Sequence, residues 1–82
     1  MKYKLVGIRP NHAEMRQMVG KTLYSIYHGF ITSHIIIKIE IGEDSKWKFV
    51  VTGNYDFPDD TPLFASIKSA KRYAKKNGIK LD

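Results

Sequence analysis

The clearest pattern in the chain is an alternation of apolar and polar residues in its middle third. Apolar residues recur at every second position from Ile35 to Ile41, and again at Trp47, Phe49 and Val51. Period-two alternation is typical of strands that bury one face. The pattern therefore predicts two strands, joined as an antiparallel hairpin, with Trp47 and Phe49 in the core.

The register of this hairpin follows from placing both apolar sets on the same face, because a slip of one residue turns a strand over. Pairing Ile41 with Trp47 satisfies that condition. It also places Glu40 opposite Lys48, which is a favourable cross-strand charge pair. The predicted loop then runs from Gly42 to Lys46 and has five residues.

Apolar residues with helical spacing precede the hairpin. Asn11 is a candidate N-cap, and the spacing predicts a helix over residues 12–19. Residues 22–28 continue the helical spacing towards Gly29, a candidate C-cap. A helix that continued to residue 28 would contain Gly20 in its interior, where glycine is destabilising. The same residues are also good strand material. Helix is slightly favoured over strand there, and both alternatives stay open.

A second helix is predicted near the C-terminus, starting either at Thr61-Pro62 or at Ser66 and ending at Gly78. Its residues fall on two faces at helical spacing. One face is apolar, with Ile67, Ala70, Tyr73 and Ala74, and would dock on the sheet. The opposite face is continuously basic and contains Lys68, Lys71, Arg72, Lys75 and Lys76.

These elements, with a first strand within residues 2–8, predict one α+β domain spanning residues 1–82. We expect a small, mainly antiparallel sheet of three or four strands, with one or two helices packed on one face. The element order is then β-α-β-β-α, with a fourth strand if residues 22–28 are extended.

Composition narrows the function classes. The chain has no cysteine, which excludes a disulfide framework, thiol catalysis and cysteine-based zinc sites. Because small secreted domains often need disulfides, the absence of cysteine favours a reducing compartment, and we expect a cytoplasmic protein. No signal peptide is evident, and no window approaches the roughly 18 apolar residues of a membrane span, so we expect no membrane partner. The net charge is +6, which argues against a DNA mimic.

The positive charge is concentrated at the C-terminus. Residues 65–82 carry six Lys or Arg residues against one Asp, a balance of +5 out of the total of +6. Such asymmetry indicates either an anionic partner or a solubilising surface.

Motifs for metal binding, cofactor binding and catalysis are weak. The histidines His12, His28 and His34 lack metal-ligand spacing. The acidic residues Asp56, Asp59 and Asp60 could hold a hard cation, but acids just before a helix are favoured by its dipole. No glycine-rich phosphate loop or activated nucleophile is evident. We expect no metal, no cofactor and no enzymatic activity.

The last helix is similar to that of the double-stranded RNA-binding domain over residues 66–75. The family pattern Ser-Lys-Lys-x-Ala-Lys-x-x-Ala-Ala is matched by Ser66, Lys68, Ala70, Lys71 and Ala74. The sequence departs from it at Ile67 and Lys75, and the family's Gly-x-Gly before the helix is absent. The resemblance implies contact of Lys68 and Lys71 with an RNA backbone.

The sequence thus favours a small non-enzymatic binding protein that occupies a surface of a macromolecular partner. In size and style it resembles phage or mobile-element proteins that inhibit or regulate a host complex. Tyr24, Tyr55 and Phe57 are the candidate protein interface, since aromatic residues anchor such contacts. The alternative is direct nucleic-acid binding through the basic helix face. A homodimer would join two such faces.

Overall fold

The computed structural model describes residues 3–53 and 61–82. In chain order its elements are β1 (Tyr3–Val6), α1 (His12–Met18), β2 (Thr22–Tyr27), β3 (Phe30–Ile41), β4 (Trp47–Val51), β5 (Thr61–Phe64) and α2 (Ile67–Lys76).

The strands form one five-stranded sheet in the order β1-β5-β2-β3-β4. β1 runs parallel to β5, and the other neighbouring pairs are antiparallel. The predicted fold class, a mainly antiparallel sheet of three or four strands in β-α-β-β-α order, is therefore wrong. The fold is a mixed sheet with two helices, because residues 22–27 and 61–64 are strands rather than parts of helices.

The two helices pack on opposite faces of this sheet, which also corrects the predicted arrangement. Leu63 and Phe64 are adjacent in β5 and both fully buried, so they point to opposite faces. Leu63 belongs to the core cluster that contains Met15 of α1. Phe64 instead packs against Tyr73 of α2, with ring centroids 5.1 Å apart. Each helix therefore covers its own side of β5.

Tertiary pairing decides the ambiguous segment after α1. The cap at Asn11 is confirmed: its side chain accepts from the backbone N–H of Glu14 at 2.9 Å, and Glu14 reciprocates in a capping box. The helix ends at Met18, and the N–H of Gly20 donates to the carbonyl of Ile36 at 2.8 Å. The chain then continues into β2, which lies between β5 and β3. If these residues formed a helix, the backbone hydrogen bonds to both neighbouring strands would be lost.

A two-residue turn joins β2 to β3. Tyr27 pairs with Phe30, and the intervening His28 and Gly29 have φ angles of +48° and +83°. Two successive positive φ angles are typical of a type I′ turn, whose twist matches the flanking strands. Gly29 is thus a hairpin residue rather than the predicted helix cap.

The predicted register of the second hairpin is confirmed. Ile41 pairs with Trp47, Ile39 with Phe49 and Glu40 with Lys48. The register then shifts between Ile36 and Lys38, as in a β-bulge. The shift changes the phase of β3. Ile36 is buried, whereas Ile35 and Ile37, on the other face of the strand, are 51% and 53% exposed.

The larger of the two buried clusters lies on the α1 side of the sheet. It contains Met15, Leu23, Ile36, Phe49, Val51 and Leu63, with Tyr3, Leu5, Ile8, Met18 and Ile39 packed around it. Although β1 and β4 are opposite edges of the sheet, the N–H of Phe49 donates to the Tyr3 hydroxyl. The sheet therefore curls around α1 into a half-barrel whose edges face each other.

Candidate anion-binding surfaces

The helix α2 begins at a serine cap and ends before a glycine. The Oγ of Ser66 accepts from the backbone N–H of Ser69 at 3.1 Å. Asn77 is the C-cap, and Gly78 follows with a φ of +67°, which favours glycine. Ser66, and not Thr61, therefore starts the helix, and the predicted end at Gly78 is confirmed.

Small residues dock this helix on the sheet. Ala70 and Ala74 are buried, and α2 contacts β2 and β5. Tyr73 is half-buried against Phe64, whereas Ile67, predicted on the docking face, is 45% exposed. Because the docking side chains are small, the axis of α2 can approach the sheet closely. The burial of Ala70 and Ala74 and the contact of Tyr73 with Phe64 determine which face of the helix points to the sheet.

This orientation of α2 exposes the predicted basic face, by which we mean Lys68, Lys71, Arg72, Lys75 and Lys76. The ion pairs in residues 3–53 and 61–82 are Lys38 with Glu40 at 3.8 Å and Lys48 with Asp44 at 3.9 Å. Neither pair involves α2. Among the described residues, the basic face thus has no acidic partner.

The spacing of these cations costs stability. Lys68 and Arg72, Lys71 and Lys75, and Arg72 and Lys76 are like charges four residues apart. Each such pair destabilises a helix by about 0.2–0.5 kcal/mol. The helix dipole disfavours Lys68, which lies in the first turn, and favours Lys75 and Lys76, which lie in the last turn.

A second basic surface lies where the edges of the half-barrel face each other. We call it the edge groove. It has a volume of about 520 Å³ and is lined by Tyr3 and Leu5 of β1, Ile8, Arg9 and Pro10 after it, Met15 of α1, and Asp44, Lys46, Trp47 and Lys48 of the β3–β4 hairpin. These residues are distant in sequence and meet because the sheet curls.

One side of the edge groove carries an exposed tryptophan. Trp47 is 41% exposed, although its alternation with lysines predicts a core position. The imidazole of His12 packs against its indole, with ring centroids 4.3 Å apart and planes tilted by 36°. Trp47 is the first residue of β4, next to the hairpin loop, and the core cluster covers only part of its side chain. Its cross-strand partner Ile41 is also exposed.

The charges of the edge groove are mainly positive. Arg9, Lys46 and Lys48 stand against Asp44, which gives three minus one, or +2. The backbone N–H of Lys46 donates to Asp44 at 3.1 Å and lowers the pKa of that carboxyl group, and the nearby Lys48 charge lowers it further. Asp44 is therefore ionised at neutral pH and already engaged with groups of its own hairpin.

A buried polar cluster crosses β2 and β3. The Oγ of Ser25 lies 2.8 Å from Nε2 of His34 and 2.6 Å from Oγ1 of Thr32, and Nδ1 of His34 lies 3.0 Å from the carbonyl of Thr52. A serine on an oriented histidine resembles an activated nucleophile. However, Ser25 is only 4% exposed. A substrate could not reach its hydroxyl, so the cluster serves the packing of the sheet.

The other residues singled out by the sequence are scattered. Tyr24 is half-buried within the sheet, between Ser33 and Phe64. Tyr55, Phe57, Asp56, Asp59 and Asp60 lie outside the described residues. Tyr27 and Phe30, which the sequence did not favour as interface residues, are exposed and pair beside the type I′ turn.

The described residues contain neither a cluster of metal-ligating side chains nor a membrane-spanning helix. Within residues 3–53 and 61–82, no three His, Asp or Glu side chains are grouped so that they could hold a metal ion. Neither helix of the part of the chain that the structure describes has the length and apolarity needed to cross a membrane.

Comparison with protein-family models, with curated proteins and with solved structures finds no match for this chain.

Proposed function

We propose that this chain is a small non-enzymatic binding protein that occupies an anionic surface of a macromolecular partner through the basic face of α2. The observation that carries the proposal is the uniform sign of that face. Its three like-charge pairs lower the stability of the helix, and among the described residues no acid offsets them. The attraction between these cations and a negatively charged partner would offset the repulsion among the cations.

The rigid docking of α2 supports the same proposal. Because Ala70 and Ala74 are buried against the sheet, the cations are presented as a fixed surface rather than on a mobile tail. A fixed array of charges gives association that is fast and depends on salt. By covering such a surface, a chain of this size would inhibit or regulate the complex to which the surface belongs.

Direct nucleic-acid binding is the second candidate, and it uses the same face. Five cations along one helix match the repeated charges of a phosphate backbone, and binding would release counterions. Lysine predominates, so sequence readout is not expected.

A charge-reversal experiment tests both candidates. We would measure binding to duplex DNA, duplex RNA and polyglutamate at low and at physiological salt, for the wild type and for the triple variant Lys68→Glu, Arg72→Glu, Lys76→Glu. We expect at least one polyanion to bind. Removal of three phosphate contacts should lower the slope of log affinity against log salt by about three.

The matched control reverses three exposed cations outside α2 and its surroundings, Arg16→Glu, Lys21→Glu and Lys38→Glu. Each reversal changes the charge by two, so three of them take the net charge from +6 to zero in both variants. Equal losses of affinity would show that only net charge matters and would contradict the proposal, as would no binding to any polyanion at low salt. Preference for polyglutamate or for a duplex identifies the partner class.

A further inference from the structure

The edge groove combines features that the basic face lacks. Its volume of about 520 Å³ lies within the usual range of ligand sites, about 300–1,000 Å³. Tyr3, Leu5, Ile8 and Met15 form an apolar floor shared with the core. Charged side chains stand around this floor, and one exposed aromatic ring lies among them. An apolar floor with a few polar groups is typical of a site that orients a ligand.

Trp47 gives the strongest indication of the ligand. The core cluster lies on the same face as Trp47, but it leaves 41% of that residue exposed. His12 supports the indole from α1. A large aromatic ring that is held in place yet open to solvent provides a stacking platform, and nucleobases stack on such platforms whatever their sequence.

The charges around Trp47 select an anion. Lys46 and Lys48 flank it in sequence, and Arg9 lines the same groove from the β1 side. Asp44 engages the backbone of Lys46 and lies 3.9 Å from Lys48, so it compensates only part of this charge. Arg9 and Lys46 therefore line the same groove as the exposed ring, and phosphate groups next to a stacked base could contact them.

We propose that the edge groove binds a segment of single-stranded nucleic acid, with a base stacked on Trp47 and flanking phosphates held by Arg9 and Lys46. A duplex does not fit this role, because its bases are already stacked inside the helix. An acidic peptide would satisfy the cations but leave the indole unused. The edge groove lies on the α1 side of the sheet, opposite α2, so this inference is independent of the basic face.

The fluorescence of Trp47 provides a direct test, because Trp47 is the only tryptophan in the chain. We would titrate the full chain with a short oligothymidylate at low salt. We expect saturable quenching of the tryptophan emission. The affinity of the labelled strand, measured by anisotropy, should fall about 10-fold or more in Trp47→Ala and be largely kept in Trp47→Phe, which retains a flat ring.

Ile41→Ala is the matched control, since Ile41 is the exposed cross-strand neighbour of Trp47. It removes apolar surface at the same place without removing an aromatic ring, and should leave the affinity unchanged. Circular dichroism of each variant checks that the fold is intact. An equal loss in Ile41→Ala and Trp47→Ala would overturn stacking as the cause.

Three further ligands distinguish the alternatives. If thymidine monophosphate binds as tightly as the oligothymidylate, the ligand is a free nucleotide, and the proposal of a nucleic-acid strand is overturned. Duplex DNA or polyglutamate quenching Trp47 equally well would overturn single-strand selectivity. A strand that binds without quenching, and is lost only when Lys68, Arg72 and Lys76 are reversed, would overturn the edge groove while leaving the proposed function of α2 intact.

Discussion

The basic face and the edge groove are both positive, but they are built in different ways. The basic face is local: five cations of one helix share a side because of helical spacing. The edge groove is assembled from β1, α1 and the β3–β4 hairpin, which meet only because the sheet curls. The first offers charge alone, whereas the second adds an apolar floor and an aromatic ring.

This difference has a functional consequence. A surface of charge alone attracts any polyanion and does so less at high salt. A groove with an aromatic platform adds contacts that salt does not screen, and can therefore discriminate among anions. If both proposals hold, the basic face supplies attraction and the edge groove supplies selection.

The largest expected effect separates the two regions through the sheet itself. Phe64 is fully buried beneath α2 and contacts Tyr73, but it points away from the edge groove. Phe64→Ala should lower the free energy of unfolding by about 3–5 kcal/mol. The total stability of an 82-residue domain is on the order of 4–12 kcal/mol, so this loss is a large share of it. Because α2 packs on Phe64, we expect α2 to loosen first.

Urea denaturation followed by circular dichroism and by Trp47 emission measures this effect. Phe64→Leu is the control and should cost less than about 1.5 kcal/mol. If the emission of Trp47 in the native state changes as much as the helical signal, the two regions are not separable in the way the geometry indicates.

The helix caps provide an intermediate and reciprocal comparison. Asn11 caps α1, which places Met15 in the edge groove and His12 against Trp47, and Ser66 caps α2. Asn11→Ala and Ser66→Ala should each cost about 1 kcal/mol of stability.

Binding, rather than stability, then distinguishes these two variants. Asn11→Ala should weaken quenching of Trp47 by a single strand, and Ser66→Ala should weaken binding of a polyanion to α2. Because the stability losses are similar, each variant serves as the control for the other. A loss of both activities in both variants would argue against two independent surfaces.

An effect no larger on average than that of the caps concerns Tyr3, whose hydroxyl accepts from the N–H of Phe49 across the open side of the sheet. Tyr3→Phe should cost about 0.5–1.5 kcal/mol at neutral pH, because this hydrogen bond is lost. Urea denaturation measures that cost. The basic face should be unaffected.

A pH series sharpens this prediction. Burial raises the pKa of Tyr3 above its ordinary value of 10.0, and the hydrogen bond from Phe49 opposes that shift. Because the folded pKa is raised, the stabilisation is fully present below pH 10.0 and is lost as the pH rises through the folded pKa. The free energy of unfolding should therefore fall more steeply above pH 10 in the wild type than in Tyr3→Phe. Equal slopes would contradict it.

Short-range patterns in the sequence determined several elements of this protein. The cap at Asn11, the end of α2 at Gly78 and the pairing of Ile41 with Trp47 all depend on neighbouring residues, and all are confirmed. The basic face belongs to this group, because helical spacing alone places its cations together. Alternation also predicted the β3–β4 hairpin but not the bulge that exposes Ile35 and Ile37.

Only the tertiary structure decided the rest. Residues 22–27 fit a helix or a strand by themselves, and the ladders offered by β5 and β3 make them a strand. Residues 61–64 look like a helix start, but pairing with β1 makes them β5. The edge groove joins Arg9, Met15 and Trp47 across the sheet. Long-range pairing and curvature are properties of the assembled chain, and no local spacing of residues encodes them.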